Sequence, residues 1–227
     1  MHGAPCTAHR RVTPSVRTEA EFITSAADRT GFPRDGTPEL ALVGRSNVGK
    51  STLVNALTGA RLARTSAAPG KTRLVNVFRV RHATLRSFYL VDLPGFGYAR
   101  GGSASAEAFE QLTTAYFESR AAAGTAPALP TAAGSLLLVD ARHPGLGNDL
   151  AAFDWLAALG TPAAVVATKI DKLTRSERTR AERNLDTAFN GPVLPVSAAT
   201  GEGLKALWTL IARLLSNHPP RLTPRPR

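Results

Sequence analysis

Residues 44–51 read GRSNVGKS. It fits G-x-x-x-x-G-K-[ST], the pattern of a phosphate-binding loop between a strand and a helix. The flanking sequence supplies both. Glu39 to Val43 is a short apolar run that reads as a strand, and Lys50 to Thr58 reads as a helix whose Leu53, Val54 and Leu57 share one face. Gly44 and Gly49 permit backbone torsions and close approaches that a side chain would block. The N–H groups of Arg45, Ser46, Asn47 and Val48 can then surround phosphate oxygens at the positive end of the helix. Lys50 is placed to neutralise the terminal phosphates, and Ser51 to set its hydroxyl on a Mg²⁺ ion that bridges them.

Outward from this loop, strand-like runs alternate with helical patterns. Leu74 to Val80, Leu85 to Val91, Ser135 to Val139, Ala163 to Ala167 and Val193 to Val196 read as strands. About Ala106 to Ala122, Asp149 to Ala158, Ser176 to Phe189 and Gly203 to Leu215 read as helices. This alternation predicts an α/β domain with a six-stranded, mainly parallel sheet and helices on both faces. The short Arg81 to Thr84 connection makes one strand antiparallel. Residues 1–20 and 217–227 carry proline and arginine without apolar periodicity and read as disordered basic tails, leaving 21–216 as the folded domain.

Composition narrows the class. The chain has 227 residues, one cysteine and a formal net charge of +11. A lone cysteine excludes a disulfide-stapled scaffold, and no apolar run reaches the length of a membrane span, so a cytoplasmic protein without a membrane partner is expected. Nine cations and no acid fall between Leu40 and Val91, which predicts a strongly positive face and a polyanionic partner. A nucleic acid such as RNA fits that chemistry, although no separate RNA-binding module follows the domain.

A phosphate loop alone leaves kinases, ATPases and GTPases open, so the downstream loops decide the nucleotide. DLPG at 92–95 follows the third strand. There Asp92 can hold Mg²⁺ through water, Leu93 and Pro94 carry the turn, and the N–H of Gly95 can reach a γ-phosphate. TKID at 168–171 follows the fifth. Asp171 can accept from the ring N–H and exocyclic amine of guanine, a donor pair that adenine lacks, while the stem of Lys169 lies along the base; Thr168 and Ile170 complete the loop. VSA at 196–198 follows the sixth, where Val196 and Ser197 brace the loop and the N–H of Ala198 faces the guanine carbonyl.

These residues resemble the EngB (YsxC/YihA) family of small GTPases in the Era-like branch, over roughly residues 20–215. Three stretches carry that resemblance beyond generic patterns: LARTSAAPGKTR at 62–73, DLPGFGYA at 92–99 and DARHP at 140–144. The resemblance implies that Thr72 is the switch threonine on Mg²⁺ and the γ-phosphate, and that Gly70, Lys71, Thr72, Arg73 and Leu74 line the nucleotide. It also implies a role in assembling the large ribosomal subunit, with an association with cell division and septation, by a monomeric protein. Thr168 departs from the asparagine of most GTPases, and Arg73 from a frequent glutamine.

The expected reaction is hydrolysis of GTP to GDP and phosphate by in-line attack of water, with Lys50, Thr72 and Gly95 as the catalytic set. Phe96 stands where many GTPases place a water-orienting glutamine, which predicts slow turnover. Asn47, with the resemblance to potassium-stimulated GTPases, points to K⁺ as a supplement. Two other classes stay open: a nucleotide-gated binding module with negligible hydrolysis, and an ATP-dependent phosphotransferase, for which no acceptor site or lid is evident. Phe96 and Tyr98 read equally as base-stacking or packing residues, and His143 reads as part of a turn.

Overall fold

The computed structural model describes residues 18–63, 74–96, 111–118 and 132–216. Seven strands form one sheet: β1 (Thr18–Ala26), β2 (Glu39–Gly44), β3 (Val75–His82), β4 (Phe88–Asp92), β5 (Ala132–Asp140), β6 (Ala163–Thr168) and β7 (Leu194–Pro195). Their order is β1-β3-β4-β2-β5-β6-β7. All run parallel except β3, which is antiparallel to both of its neighbours. The helices are α1 (Lys50–Thr58), α2 (residues 111–118), α3 (Gly147–Ala158), α4 (Arg175–Ala188) and α5 (Leu204–Leu214).

The sheet therefore has seven strands rather than the expected six. The added strand, β1, pairs with β3 along its whole length, with a register shift between Phe22 and Thr24. The boundary expected at 20/21 falls inside it. Its sequence, TEAEFITSA, carries glutamates and alanines where a buried strand would be β-branched, because an edge strand covers only one side of one neighbour. One of those glutamates, Glu21, pairs with arginines of the neighbouring strand. Arg79 and Arg81 of β3 both reach Glu21, at 3.4 and 3.1 Å, and Arg79 also lies 3.5 Å from Asp35. The strongly positive face expected over residues 40–91 is thus partly neutralised by a strand that lies outside that window.

Each face of the sheet buries its own core. Strand β2 is buried along its length, so its alternate residues serve opposite layers. Leu40 and Leu42 join Phe78, Leu90, Leu136 and Leu138 beneath Leu53, Val54 and Leu57 of α1 and Leu207, Ile211 and Leu214 of α5. Ala41 and Val43 join Tyr89, Val91, Leu137 and Val139 beneath Tyr116 and Phe117 of α2, Phe153 and Leu156 of α3, and Leu185 of α4. Full burial of each such side chain contributes about 1.5–3 kcal/mol, so α1 is fixed on the sheet by the three apolar residues its sequence stripe predicts. Helix α4 starts at a capping box in which Thr174 and Glu177 exchange bonds with each other's backbone. No helix among the described residues is long and apolar enough to cross a membrane.

Candidate functional site

Parallel pairing carries the ends of β2, β4, β5 and β6 to one edge of the sheet. Leu42 pairs with Asp92, Gly44 with Leu138, and Asp140 with Thr168. Loops leaving the carboxyl ends of such strands form a crevice for ligands. Four of the sequence-predicted loops meet there.

The first is the turn from β2 into α1. Asn47 adopts φ 62° and Gly49 φ 113°, both left-handed, and Gly49 is the N-cap of α1 without any side-chain cap, so the first helical N–H groups stay available for a ligand. Lys50 folds back over this turn and donates to the carbonyls of Gly44 at 2.8 Å and Arg45 at 3.2 Å. Burial pushes its amine down to about 8, against the opposing pull of Asp92.

The second loop, at the end of β4, is bound to the first. Ser46 donates its N–H to the carbonyl of Phe96 at 3.0 Å, Phe96 donates to Gly44 at 3.4 Å, and the Ser46 hydroxyl donates to the Gly95 carbonyl at 3.2 Å. The approach at Gly95 is so close that a Cβ there would lie 2.6 Å from the Ser46 nitrogen, which explains the glycine. The Phe96 side chain packs against the α2–α3 core, on the packing side of the alternative raised by the sequence. Tyr98 lies outside the described residues.

Asp92 and Ser51 lie together at the end of β4 and the start of α1. The Ser51 hydroxyl donates to Asp92 Oδ2 at 3.3 Å, while Oδ1 of the same buried carboxylate has no hydrogen-bond partner among the described residues. Burial pushes the Asp92 carboxyl up, and Lys50 and Ser51 pull it partly back. An unsatisfied buried carboxylate oxygen beside a hydroxyl fits a hydrated Mg²⁺.

The third loop, after β6, is tied to the first. Thr168 donates its hydroxyl to the carbonyls of Val48 at 2.7 Å and Val139 at 3.1 Å, so the hydroxyl that replaces the usual asparagine amide does make the cross-loop bond. Lys169, at φ 63°, extends its ammonium to the carbonyl of Asn47 and to Asp140 Oδ2. Ile170 is buried beneath the loop.

The fourth loop braces the third. The Ser197 hydroxyl donates to Asp171 Oδ1 at 2.7 Å, and Lys172 lies 3.4 Å from Oδ2. Burial pushes the Asp171 carboxyl up, but those two partners outweigh it and hold it below its ordinary value, ionised and ready to accept from a base. Val196 is buried in the core, and Ala198 packs against it from the loop.

Two more groups support the loops without having been assigned to them from the sequence. Asp149, buried in the first turn of α3, takes Arg45 Nε at 3.0 and 3.2 Å. Asp140, at the end of β5, accepts from the backbone and both prongs of Arg142 as well as from Lys169. Burial would raise the Asp140 carboxyl, but these donors hold it well below the usual carboxylate range. Asp140 does carry a local signal: LLLVD at 136–140 repeats the form of YLVD at 89–92, an apolar strand ending in a carboxylate, and the two strands flank β2. Asp149 carries none, since its partner is 104 residues away. Gly70, Lys71, Thr72 and Arg73 lie outside the described residues, Leu74 is exposed just before β3, and His143 closes a turn onto Asp140.

Comparison with known proteins agrees with this geometry. Residues 39–169 match the model of a family described as 50S ribosome-binding GTPase. A protein of Chlorobium phaeobacteroides named probable GTP-binding protein EngB is 45% identical over 172 residues, covering 75% of this chain and 83% of the relative. One of the same name from Solibacter usitatus is 43% identical over 198 residues, covering 87% and 96%. Among solved structures, an Era variant from Aquifex aeolicus bound to GDP and AlF4⁻ superposes with a TM-score of 0.65 at 23% identity, covering 84% of this chain and 62% of that one. Era in complex with MgGDPNP and part of 16S ribosomal RNA superposes with a TM-score of 0.66 at 22% identity, covering 83% and 60%. The chain spans about three fifths of each Era chain, and the likeness is one of fold.

Proposed function

Because the chain belongs to the EngB family of P-loop GTPases, we propose that it cycles between GTP and GDP as a slow switch in assembly of the large ribosomal subunit. The observation that supports the nucleotide part is a set of three bonds between loops at one sheet edge, Ser51 to Asp92, Thr168 to the Val48 carbonyl and Ser197 to Asp171, which fits a phosphate cradle beside a guanine acceptor.

In this reading the N–H groups of residues 45–51 hold the phosphates, and Lys50 gives up its bonds to Gly44 and Arg45 to neutralise them. Ser51, with Asp92 behind it and Thr72 from the switch, would hold Mg²⁺, which would spread the charge of the outer phosphates. Gly95 places its N–H on the γ-phosphate, and Asp171 reads the base. Residues 70–74 and Leu93 and Pro94 frame the phosphates, while Ile170 and Val196 to Ala198 shape the base pocket. Since Phe96 offers no polar side-chain atom and packs against the core, water is oriented weakly and turnover is slow. K⁺, with Asn47 as its candidate ligand, would supplement the charge.

The ribosomal part is supported by the family description as 50S ribosome-binding GTPase and by a fold shared with Era, which was solved with ribosomal RNA. The protein acts as a monomer in the cytoplasm and is needed for normal division and septation. Co-sedimentation with large-subunit precursors tests this: recovery in the presence of a non-hydrolysable GTP analogue but not GDP is expected, and equal recovery in both contradicts a switch. The packing of Phe96 also favours a second reading, a nucleotide-gated RNA-binding module with negligible hydrolysis. Phosphate release that stays at background even with ribosomal particles would select it.

A further inference from the structure

We propose that Asp149, in the first turn of α3, is a positioning residue for the γ-phosphate step: through Arg45 it keeps the loop that carries Gly95 seated on the phosphate loop. The inference rests on the reading that this sheet edge hydrolyses GTP. It names a residue outside the nucleotide loops on which the γ-phosphate contact depends.

Asp149 is seated by the sequence of its own helix. In DLAAFDWL, residues 149–156, Asp149, Phe153 and Leu156 recur at helical spacing and so share one face. That face is the buried one. Phe153 and Leu156 lie in the core beneath the sheet, and all three residues are at most 1% exposed. A carboxylate in the first turn faces the positive end of its helix, yet burial this deep needs a cation as well. Arg45 supplies it, with Nε 3.0 Å from Oδ1 and 3.2 Å from Oδ2. Burial pushes the Asp149 carboxyl up, and Arg45 pulls it back.

The main chain of Arg45 lies between the two bonds that join the phosphate loop to the end of the DLPG loop. On one side Phe96 donates to the Gly44 carbonyl at 3.4 Å, and on the other Ser46 donates to the Phe96 carbonyl at 3.0 Å. Gly95 approaches Ser46 here with no room for a side chain between them. Arg45 thus meets three elements: it belongs to the phosphate loop, its backbone is bridged to Phe96, and its side chain is anchored on α3. Two bonds, one of them long, hold the position of the Gly95 N–H only loosely. The buried, charge-assisted bond to Asp149 fixes the residue at their centre. Helix α1, whose first N–H groups serve the inner phosphates, is instead fixed by Leu53, Val54 and Leu57 in the core. Loss of the Asp149 tie therefore loosens the γ-phosphate contact and spares the inner cradle.

The test compares single-turnover GTP hydrolysis with GDP affinity in the full-length protein. Asp149→Asn keeps the size and an acceptor for Arg45 but removes the charge, whereas Arg45→Lys keeps the charge and loses the planar Nε donor. Each should lower the hydrolysis rate about tenfold while GDP affinity stays within about threefold, which also shows that the site is folded. A cycle with Gly95→Ala separates positioning from packing. If Asp149 acts through the Gly95 loop, Asp149→Asn with Gly95→Ala should be no more than about twofold slower than Gly95→Ala alone, because both changes disable one contact. Additive losses in that cycle overturn the proposal. So do rates within about twofold of wild type in both single variants, or a GDP affinity that falls as far as the rate. Should Asp149→Asn not fold, Arg45→Lys in the same cycle decides. A wild-type protein that hydrolyses no GTP would overturn the reading of the site, and this inference with it.

Discussion

The ammonium of Lys169 sits 2.9 Å from Asp140 Oδ2 and bridges that carboxylate to the carbonyl of Asn47. Arg142 grips the same carboxylate with both prongs, at 2.9 and 2.7 Å, so the base loop is stretched over the phosphate loop by a clamp in the DARHP segment. Hydrogen bonds to charged groups contribute about 1.5–3 kcal/mol each, and Asp140→Asn should therefore raise the GDP dissociation rate about tenfold or more. Arg142→Lys keeps the charge without the fork and should recover only part of that loss relative to Arg142→Ala. Stopped-flow release of a fluorescent GDP analogue checks this; rates within twofold of wild type would show that the clamp does not position Lys169.

Gly95 is fixed by contact rather than by torsion. A methyl group there would meet the Ser46 nitrogen at 2.6 Å and its Cα at 2.7 Å, which separates the DLPG loop from the phosphate loop. Gly95→Ala should lower single-turnover GTP hydrolysis at least about tenfold while GDP affinity stays within about threefold, the pattern of a contact needed only when the γ-phosphate reacts. A fall in GDP affinity equal to the fall in rate would contradict it.

Lys50 gives the site a pH dependence. Its amine is pushed down to about 8 in the empty site, and phosphates bind its protonated form, so GDP affinity should decline as pH rises through about 8, with proton uptake on binding. The stability of the empty protein moves the other way. Between about 8 and the ordinary lysine value the unfolded chain holds the proton that the folded chain has lost, so this residue's contribution to stability rises with pH over that window. Calorimetric GDP titrations in buffers of different ionisation enthalpy measure the uptake, and a flat affinity from pH 7 to 9.5 would remove the role given to Lys50.

Potassium should raise GTP turnover about fivefold or more over sodium at equal ionic strength, since a cation near Asn47 would supply charge stabilisation that Phe96 cannot. Equal rates in the two salts would exclude it.

What could be read in the sequence follows from the range of the interactions. Helix α1 was legible because its glycine borders and its Leu53, Val54, Leu57 stripe are local, and TKID because its residue types sit together at a strand end. Strand β1 was not, because an edge strand buries too little to enforce alternation and its glutamates answer arginines some 60 residues away. Arg45 and Asp149 were beyond reach for the same reason, as were the bonds from the Ser46 hydroxyl to the Gly95 carbonyl and from the Ser46 N–H to the Phe96 carbonyl, whose backbone acceptors no residue type announces.

Competition among GTP, ATP and xanthosine triphosphate, for the wild-type protein and for Asp171→Asn, is the most direct test that one sheet edge grips a guanine nucleotide. Wild type should reject ATP by about ten-thousandfold, since adenine leaves the ionised, Ser197-held carboxylate unpaired. Asp171→Asn, whose amide can donate to the added carbonyl, should prefer xanthosine triphosphate. Comparable binding of GTP and ATP by wild type, or an unchanged preference in Asp171→Asn, would contradict it.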